Sequence, residues 1–186
     1  MPIGFILERD GKPYYCSAEA TVLGGEAPDA DFFDFASNKP DLAAGIVMFD
    51  SWICNEDRSE KNAIYDPFDQ EMFLIDHGRA LLGVDGLETL LAMDKKIALH
   101  PDFAKHISDA SAFGDWYNRL MQIPEYMITD ATKQGEQLGI SPTDYSAVAK
   151  FLIERRAKLP LLLDRNKNSL FPNLKACLWS PFGGAL

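Results

Sequence analysis

Residues 49–81, FDSWICNEDRSEKNAIYDPFDQEMFLIDHGRAL, decide how this chain is expected to fold. Apolar residues complete a helical pattern, and the polar loop EDRSEK follows them. Two runs rich in β-branched and aromatic residues come next, NAIYD at 62–66 and EMFLID at 71–76, and such residues favour strands. The intervening PFDQ begins with proline, which is common in turns. The stretch therefore predicts a β-hairpin that follows the end of a helix.

Three polar side chains of this stretch are expected at one end of the hairpin. Antiparallel pairing of residues 62–66 with 72–76 places Asn62 and Asp76 at the same end, because neighbouring strands lie roughly 5 Å apart. Asp57 lies in the loop that enters the first strand, so it should reach the same place. We predict that the oxygen atoms of the three side chains gather around one divalent ion.

The chemistry of these side chains points to phosphoryl transfer. An amide and a carboxylate suit Mg²⁺, which takes few protein ligands and fills its other positions with water and phosphate oxygens. Asn62 and Asp76 are the predicted metal ligands, and Asp57 remains to orient or deprotonate an attacking hydroxyl. The D-x-x-x-x-N spacing of a kinase loop runs from Asp57 to Asn62, and Asp76-His77-Gly78 matches the order of the kinase D-F-G segment.

The motifs FDSWICNEDRSEKN and FLIDHG resemble the catalytic segment of the HipA-like and type II phosphatidylinositol-kinase-like families, which share the protein-kinase-like fold. The likeness is specific over residues 41–81 and extends more weakly over 115–165, where LIERRAKL occupies 152–159. It implies a protein Ser/Thr kinase that uses ATP and Mg²⁺. The resemblance gives Asp57 the role of catalytic base and makes Asn62 and Asp76 the ligands of magnesium.

The same resemblance assigns a role to the amino-terminal strands. Tyr14, Tyr15 and Ser17 would belong to the hinge, whose backbone contacts the adenine of ATP. Complete family members carry an amino-terminal lobe ahead of this hinge, with a phosphate-covering loop and a lysine. Here VLGGE at residues 22–26 follows the hinge, so we expect a carboxyl-terminal lobe without its amino-terminal one. Alternatives are a split kinase whose lobe comes from a partner chain, or an inactive kinase-like module that binds proteins.

The expected fold class is α+β and mostly helical, in one domain over residues 1–186. Asp-Gly between apolar runs predicts a hairpin at 1–21, and residues 22–38 are expected to form a loop. A helical lobe fills 39–186 and contains the catalytic hairpin at 57–78.

Helix boundaries follow from capping residues. Ser37 or Asn38 is the expected cap of a helix that ends near Asn55, and Pro40 suits its first turn. Its apolar residues recur at helical spacing and form a stripe; they are Leu42, Ile46, Phe49 and Ile53. Ser141 predicts the start of a later helix, which Pro160 should end or kink.

Composition restricts the partners and the compartment. A net charge of −10 on 186 residues, without a basic face, argues against nucleic acid as a partner. No apolar run is long enough for a membrane span and no signal peptide is visible, so a cytoplasmic protein is expected. A metal-dependent hydrolase is a further alternative, but His100 and His106 are wrongly spaced to ligate a metal from one helix. The acceptor substrate is not specified by these residues.

Overall fold

The computed structural model describes residues 4–9, 12–17, 21–22, 25–26, 29–66, 71–81, 86–97 and 99–174. Its elements are mostly helices, with strands in antiparallel pairs. The strands are β1 (Gly4–Arg9), β2 (Lys12–Ser17), β3 (Thr21–Val22), β4 (Gly25–Glu26), β5 (Ala63–Asp66) and β6 (Glu71–Leu74). The helices are α1 (Phe32–Asn38), α2 (Pro40–Trp52), α3 (Leu87–Ala92), α4 (Pro101–Ala104), α5 (Phe113–Gln122), α6 (Glu125–Lys133) and α7 (Pro142–Leu170). The mixed, largely helical class that the sequence predicts is confirmed.

The amino-terminal hairpin forms as the sequence predicts. Strands β1 and β2 are antiparallel, and Arg9 lies opposite Lys12. Their connection, Asp10-Gly11, lies outside the described residues. Further along, Asp29 bridges to Ile64 of β5, so the chain that follows the first hairpins reaches the predicted catalytic hairpin.

The expected loop over residues 22–38 is wrong in its second half, which is helix α1. Asp31 caps this helix by accepting a hydrogen bond from Asp34 N at 2.8 Å. Phe32, Phe35 and Ala36 are buried, and their spacing of three and four residues places them on one face. The acidic and aromatic composition suggested a loop, but this apolar periodicity decides the conformation.

Helix α2 is central to the domain, and its packing differs from the expected arrangement. It follows Lys39, which makes no side-chain cap, so neither Ser37 nor Asn38 has the predicted role. Pro40 occupies the first turn as expected. Of the predicted apolar stripe, Leu42 is 43% exposed and Phe49 is 38% exposed. The fully buried face lies on the other side of the helix and includes Ala43, Ala44, Val47 and Met48.

The carboxyl-terminal half is built around α7, which packs against α2, α3, α5 and α6. Ser141 caps it as predicted, with Oγ accepting from Asp144 N at 3.2 Å. Pro160 was expected to end or kink this helix, and an end at that position is wrong, because α7 continues to Leu170. Helix α7 is held to α2 by Trp52, whose Nε1 donates to Leu152 O at 2.9 Å. The last eight residues, WSPFGGAL, lie outside the described residues.

Among the described residues, no helix has both the length and the apolar character that crossing a bilayer requires.

Candidate functional site

The predicted catalytic hairpin is present, with a register one residue away from the expected one. Ala63 pairs with Leu74, and Ile75 N donates to Asn62 O at 3.2 Å. Asn62 therefore lies opposite Ile75 rather than Asp76. The difference arises at the turn: Asp66 pairs with Glu71 rather than with Met72, and the pairing next to the turn fixes the register of the whole ladder.

Arg58 holds the end of this hairpin through several hydrogen bonds. Its side chain is fully buried, and its guanidinium binds the equally buried carboxylate of Asp50 through Nε–Oδ2 at 2.9 Å and Nη2–Oδ1 at 3.2 Å. The same guanidinium donates through Nη1 to Asn62 O at 2.5 Å and to Ile75 O at 3.1 Å. One side chain thus joins helix α2, the loop and the hairpin.

Asp50 receives a further hydrogen bond. Asn55 Nδ2 donates to its Oδ1 at 3.0 Å, and Asn55 N donates to Asp50 O at 2.9 Å. The second bond closes the carboxyl end of α2, with Cys54 in the left-handed region at φ 54°. The polar loop that starts here is therefore fixed to the helix end by backbone and side-chain bonds together.

Asn62 and Asp57 are in direct contact. Asn62 Nδ2 donates to Asp57 O at 2.5 Å, which fixes the orientation of the amide. Asn62 Oδ1 and the Asp57 carboxylate accept no hydrogen bond from any described residue. Both oxygens therefore remain available to a ligand, although Asn62 is only 9% exposed.

Asp76 follows directly on the last paired residue of the hairpin. Its φ of 49° lies in the left-handed region, which Asp tolerates better than most residues. Gly78 N donates to its Oδ1 at 3.2 Å, and a Cβ on Gly78 would stand 3.0 Å from that same oxygen. A side chain at position 78 would therefore crowd the Asp76 carboxylate, and glycine avoids this. The second carboxylate oxygen of Asp76 has no partner among the described residues.

His77 closes the site on the side of α2. Its ring lies 6.1 Å from the ring of Phe49, and Nε2 lies 3.1 Å from Arg58 Nη2. Because Arg58 can only donate, Nε2 is the acceptor of a neutral ring. Burial, and then the charge of Arg58, lower the pKa of His77 below its usual value.

The structure therefore shows a direct contact between two of the three predicted site residues and places the third at the end of the same hairpin. Asp57 and Asn62 touch, and Asp76 follows the residue that pairs with Asn62. Arg58 and Asp50, which hold this arrangement, were not among the site residues predicted from the sequence. Their sequence separation of eight gives no local pattern that would have singled out the pair.

The structure describes the backbone of the predicted hinge residues. Tyr14, Tyr15 and Ser17 lie in β2, where they pair with β1. Their assignment to the adenine of ATP stays a prediction.

Comparison with known proteins adds no relative: no family model matches the chain, and neither a curated protein nor a solved structure does.

Proposed function

We propose that this chain carries the catalytic loop of an ATP- and Mg²⁺-dependent phosphotransferase of the HipA-like class, with a protein Ser or Thr hydroxyl as acceptor. The observation that supports this most is the shared anchoring by Arg58, which binds the backbone at both Asn62 and Ile75. It ties the loop that carries Asp57 to the turn that carries Asp76, so the three oxygen-bearing residues keep a fixed relation.

Asn62 and Asp76 would hold the magnesium ion. The amide nitrogen of Asn62 is already used by Asp57 O, so its oxygen would serve as the neutral ligand. Asp76 contributes a carboxylate oxygen, and water and ATP phosphate oxygens would fill the remaining positions of the metal. The bound ion would neutralise charge on the phosphates during transfer.

Asp57 would act on the acceptor. Its half-exposed carboxylate accepts no bond from the described residues, so it is free to receive the hydrogen of an incoming hydroxyl. A base held in this way contributes about 10²–10⁴ in rate. The neighbouring Asn62 fixes the backbone of Asp57, which would keep the attacking oxygen in line with the phosphorus atom.

The test is phosphate transfer from ATP to a protein acceptor, together with calorimetric binding of ATP and Mg²⁺. We expect Asp57→Ala to lower transfer at least about 100-fold with nucleotide binding retained. Asn62→Ala and Asp76→Ala should lose both transfer and Mg²⁺-dependent binding. Asp130→Ala, at an exposed position on α6, is the matched control and should behave as the natural chain.

Normal transfer by any of the three site variants would contradict the assignment. Micromolar binding of ATP and Mg²⁺ without transfer would favour a lobe that needs a partner chain. Absence of nucleotide binding in the natural chain would favour the inactive protein-binding module.

A further inference from the structure

A long apolar groove runs along the exposed side of α2. Two adjoining cavities, about 470 and 390 Å³ in volume, share the lining residues Phe49, Met72 and Leu74. The groove follows α2 from Leu42 to Ile53, roughly 17 Å at 1.5 Å per residue. Ligand cavities in proteins have volumes of about 300–1,000 Å³ and are mostly apolar, with a few polar groups. The groove therefore has the size and the lining of a small-molecule site.

The larger cavity carries one charged side chain, Arg119 of α5. It is the single ionisable group among the described residues that line this cavity. The guanidinium contacts the ring of Trp116 and pairs with no carboxylate in the described part of the chain, although the net charge of the protein is −10. In the smaller cavity the ionisable lining residue is His77, which is neutral in its contact with Arg58. An unpaired cation beside an apolar surface fits a ligand with an anionic head and an apolar chain.

The position of Arg119 is fixed by the residues around it. Its guanidinium carbon lies 4.5 Å from the centroid of the Trp116 ring, a cation–π contact. Trp116 Nε1 donates to Asp41 O at 2.8 Å, and a Cβ on Gly45 would stand 2.5 Å from Trp116 Cε2. Glycine at position 45 therefore lets the indole lie directly against α2. The guanidinium is held beside the first turns of α2, and its N–H groups donate to no described residue.

We propose that this groove binds a long-chain carboxylate, with the carboxylate on Arg119 and the chain along α2 toward Ile53. A guanidinium matches the two oxygens of a carboxylate with two parallel donors. The chain would cover Leu42 and Phe49, which are 43% and 38% exposed, and burial of such apolar surface favours binding. A second copy of the protein is disfavoured as the occupant, because two chains with a net charge of −10 repel each other.

The proposed ligand site is separate from the candidate catalytic residues. Asp57, Asn62 and Asp76 line neither cavity, and occupation of the groove requires neither ATP nor Mg²⁺. Binding of a carboxylate is therefore a property beyond the proposed phosphotransfer, and either can fail without the other.

The test is calorimetric titration of the full chain with decanoate, below the concentration at which it forms micelles. We expect one decanoate per chain, and about tenfold weaker binding of decanol, which has the same chain without the charge. Arg119→Gln should weaken decanoate binding by about the same factor and leave decanol binding unchanged. Arg165→Gln, at an exposed position of α7, is the matched control and should bind decanoate as the natural chain does.

A second pair of variants tests where the apolar chain lies. Leu42→Asp places a carboxylate in the groove, so decanoate binding should weaken at least about fivefold through repulsion and lost apolar contact. Leu91→Asp is the control, because Leu91 is 46% exposed on α3 and lines neither cavity. It should leave the affinity unchanged.

Several results would overturn the proposal. One is the absence of decanoate binding by the natural chain at about 1 mM. Another is equal affinity for decanoate, decanol and the cation decyltrimethylammonium, because Arg119 would then select nothing. Unchanged decanoate binding in Arg119→Gln or Leu42→Asp would place the ligand elsewhere. A dimer that decanoate does not dissociate would assign the groove to a second copy, and binding to anionic phospholipid vesicles but not to decanoate would assign it to a membrane surface.

Discussion

Two arginines are fully buried among the residues that the structure describes, and their hydrogen-bond partners differ. Arg58 meets the carboxylate of Asp50, two backbone carbonyls and His77. Arg155 donates, within the described part of the chain, to three backbone carbonyls: those of Ser51, Met93 and Lys96, at 3.0, 2.7 and 2.9 Å.

The difference is that Arg58 forms an ion pair, whereas Arg155 joins packed segments through backbone carbonyls. Burial lowers the pKa of Arg155, whose charge is met by carbonyl dipoles of two segments, the carboxyl end of α2 at Ser51 and the turn from Met93 to Lys96. Arg58 has a full countercharge and sits under the proposed catalytic loop. A buried ion pair adds little net stability but strongly penalises loss of one partner. The two sites should therefore respond differently to substitution.

The largest effect is expected when the countercharge is removed. Asp50→Ala leaves the buried guanidinium of Arg58 without a carboxylate and also removes the acceptor of Asn55, so we expect a loss of about 3–5 kcal/mol in the free energy of unfolding. Chemical denaturation measures it. Asp41→Ala, an exposed carboxylate on the same helix, should cost less than about 1 kcal/mol. Equal losses in the two variants would contradict the buried pair.

The contacts of Arg155 are tested by replacing its guanidinium with the ammonium group of lysine. Arg155→Lys retains the charge, but one ammonium cannot reach all three carbonyls, which lie on two different segments. We expect a loss of about 2–3 kcal/mol, from carbonyls left without donors. Arg165→Lys, exposed on the same helix, is the control and should leave thermal and chemical stability unchanged. An unaffected Arg155→Lys protein would mean that position 155 acts through charge alone.

The smallest effect is expected from His77, which contacts Arg58. The folded state holds its pKa below the ordinary 6.5, so the unfolded chain binds the proton more readily. The contribution of His77 to the free energy of unfolding is complete above about pH 6.5, and it is lost as the pH falls from there through the pKa of the folded state. Because the ring is half exposed, the loss should stay under about 1 kcal/mol.

Denaturation midpoints between pH 7.5 and 5 measure this dependence, and His77→Gln should flatten it. His106 must be compared in the same series, because burial also lowers its pKa. Its substitution, His106→Gln, should leave the part due to His77 in place. An unchanged pH slope in His77→Gln would show that the contact with Arg58 does not hold the ring neutral.

Local sequence patterns predicted much of the architecture, because they depend on near neighbours. The Asp-Gly hairpin, the cap at Ser141 and the β5–β6 hairpin each follow from a few adjacent residues. Helix α1 was missed because its acidic and aromatic composition outweighed the spacing of Phe32, Phe35 and Ala36. The end expected at Pro160 was wrong because tertiary packing along α7 overrides one unfavourable position.

Long-range contacts were beyond prediction from local patterns. Trp52 and Leu152 are 100 residues apart, and Arg155 and Ser51 are 104 apart. The residues of the candidate site were named from the sequence, but the expected register was one residue off because Asp66 pairs with Glu71 across the turn. Motif spacing cannot reveal such a turn.

In the proposed function, Asn62 and Asp76 bind one divalent ion together with ATP, and Asp57 lies beside them. The most direct measurement replaces Mg²⁺ by paramagnetic Mn²⁺ and follows the nuclear magnetic resonance signals of the full chain in the presence of ATP. Signals of the Asn62 side-chain amide and the His77 backbone amide should broaden first, with Asp130 unaffected. Broadening spread over the acidic surface, or none near Asn62 and His77, would contradict the account.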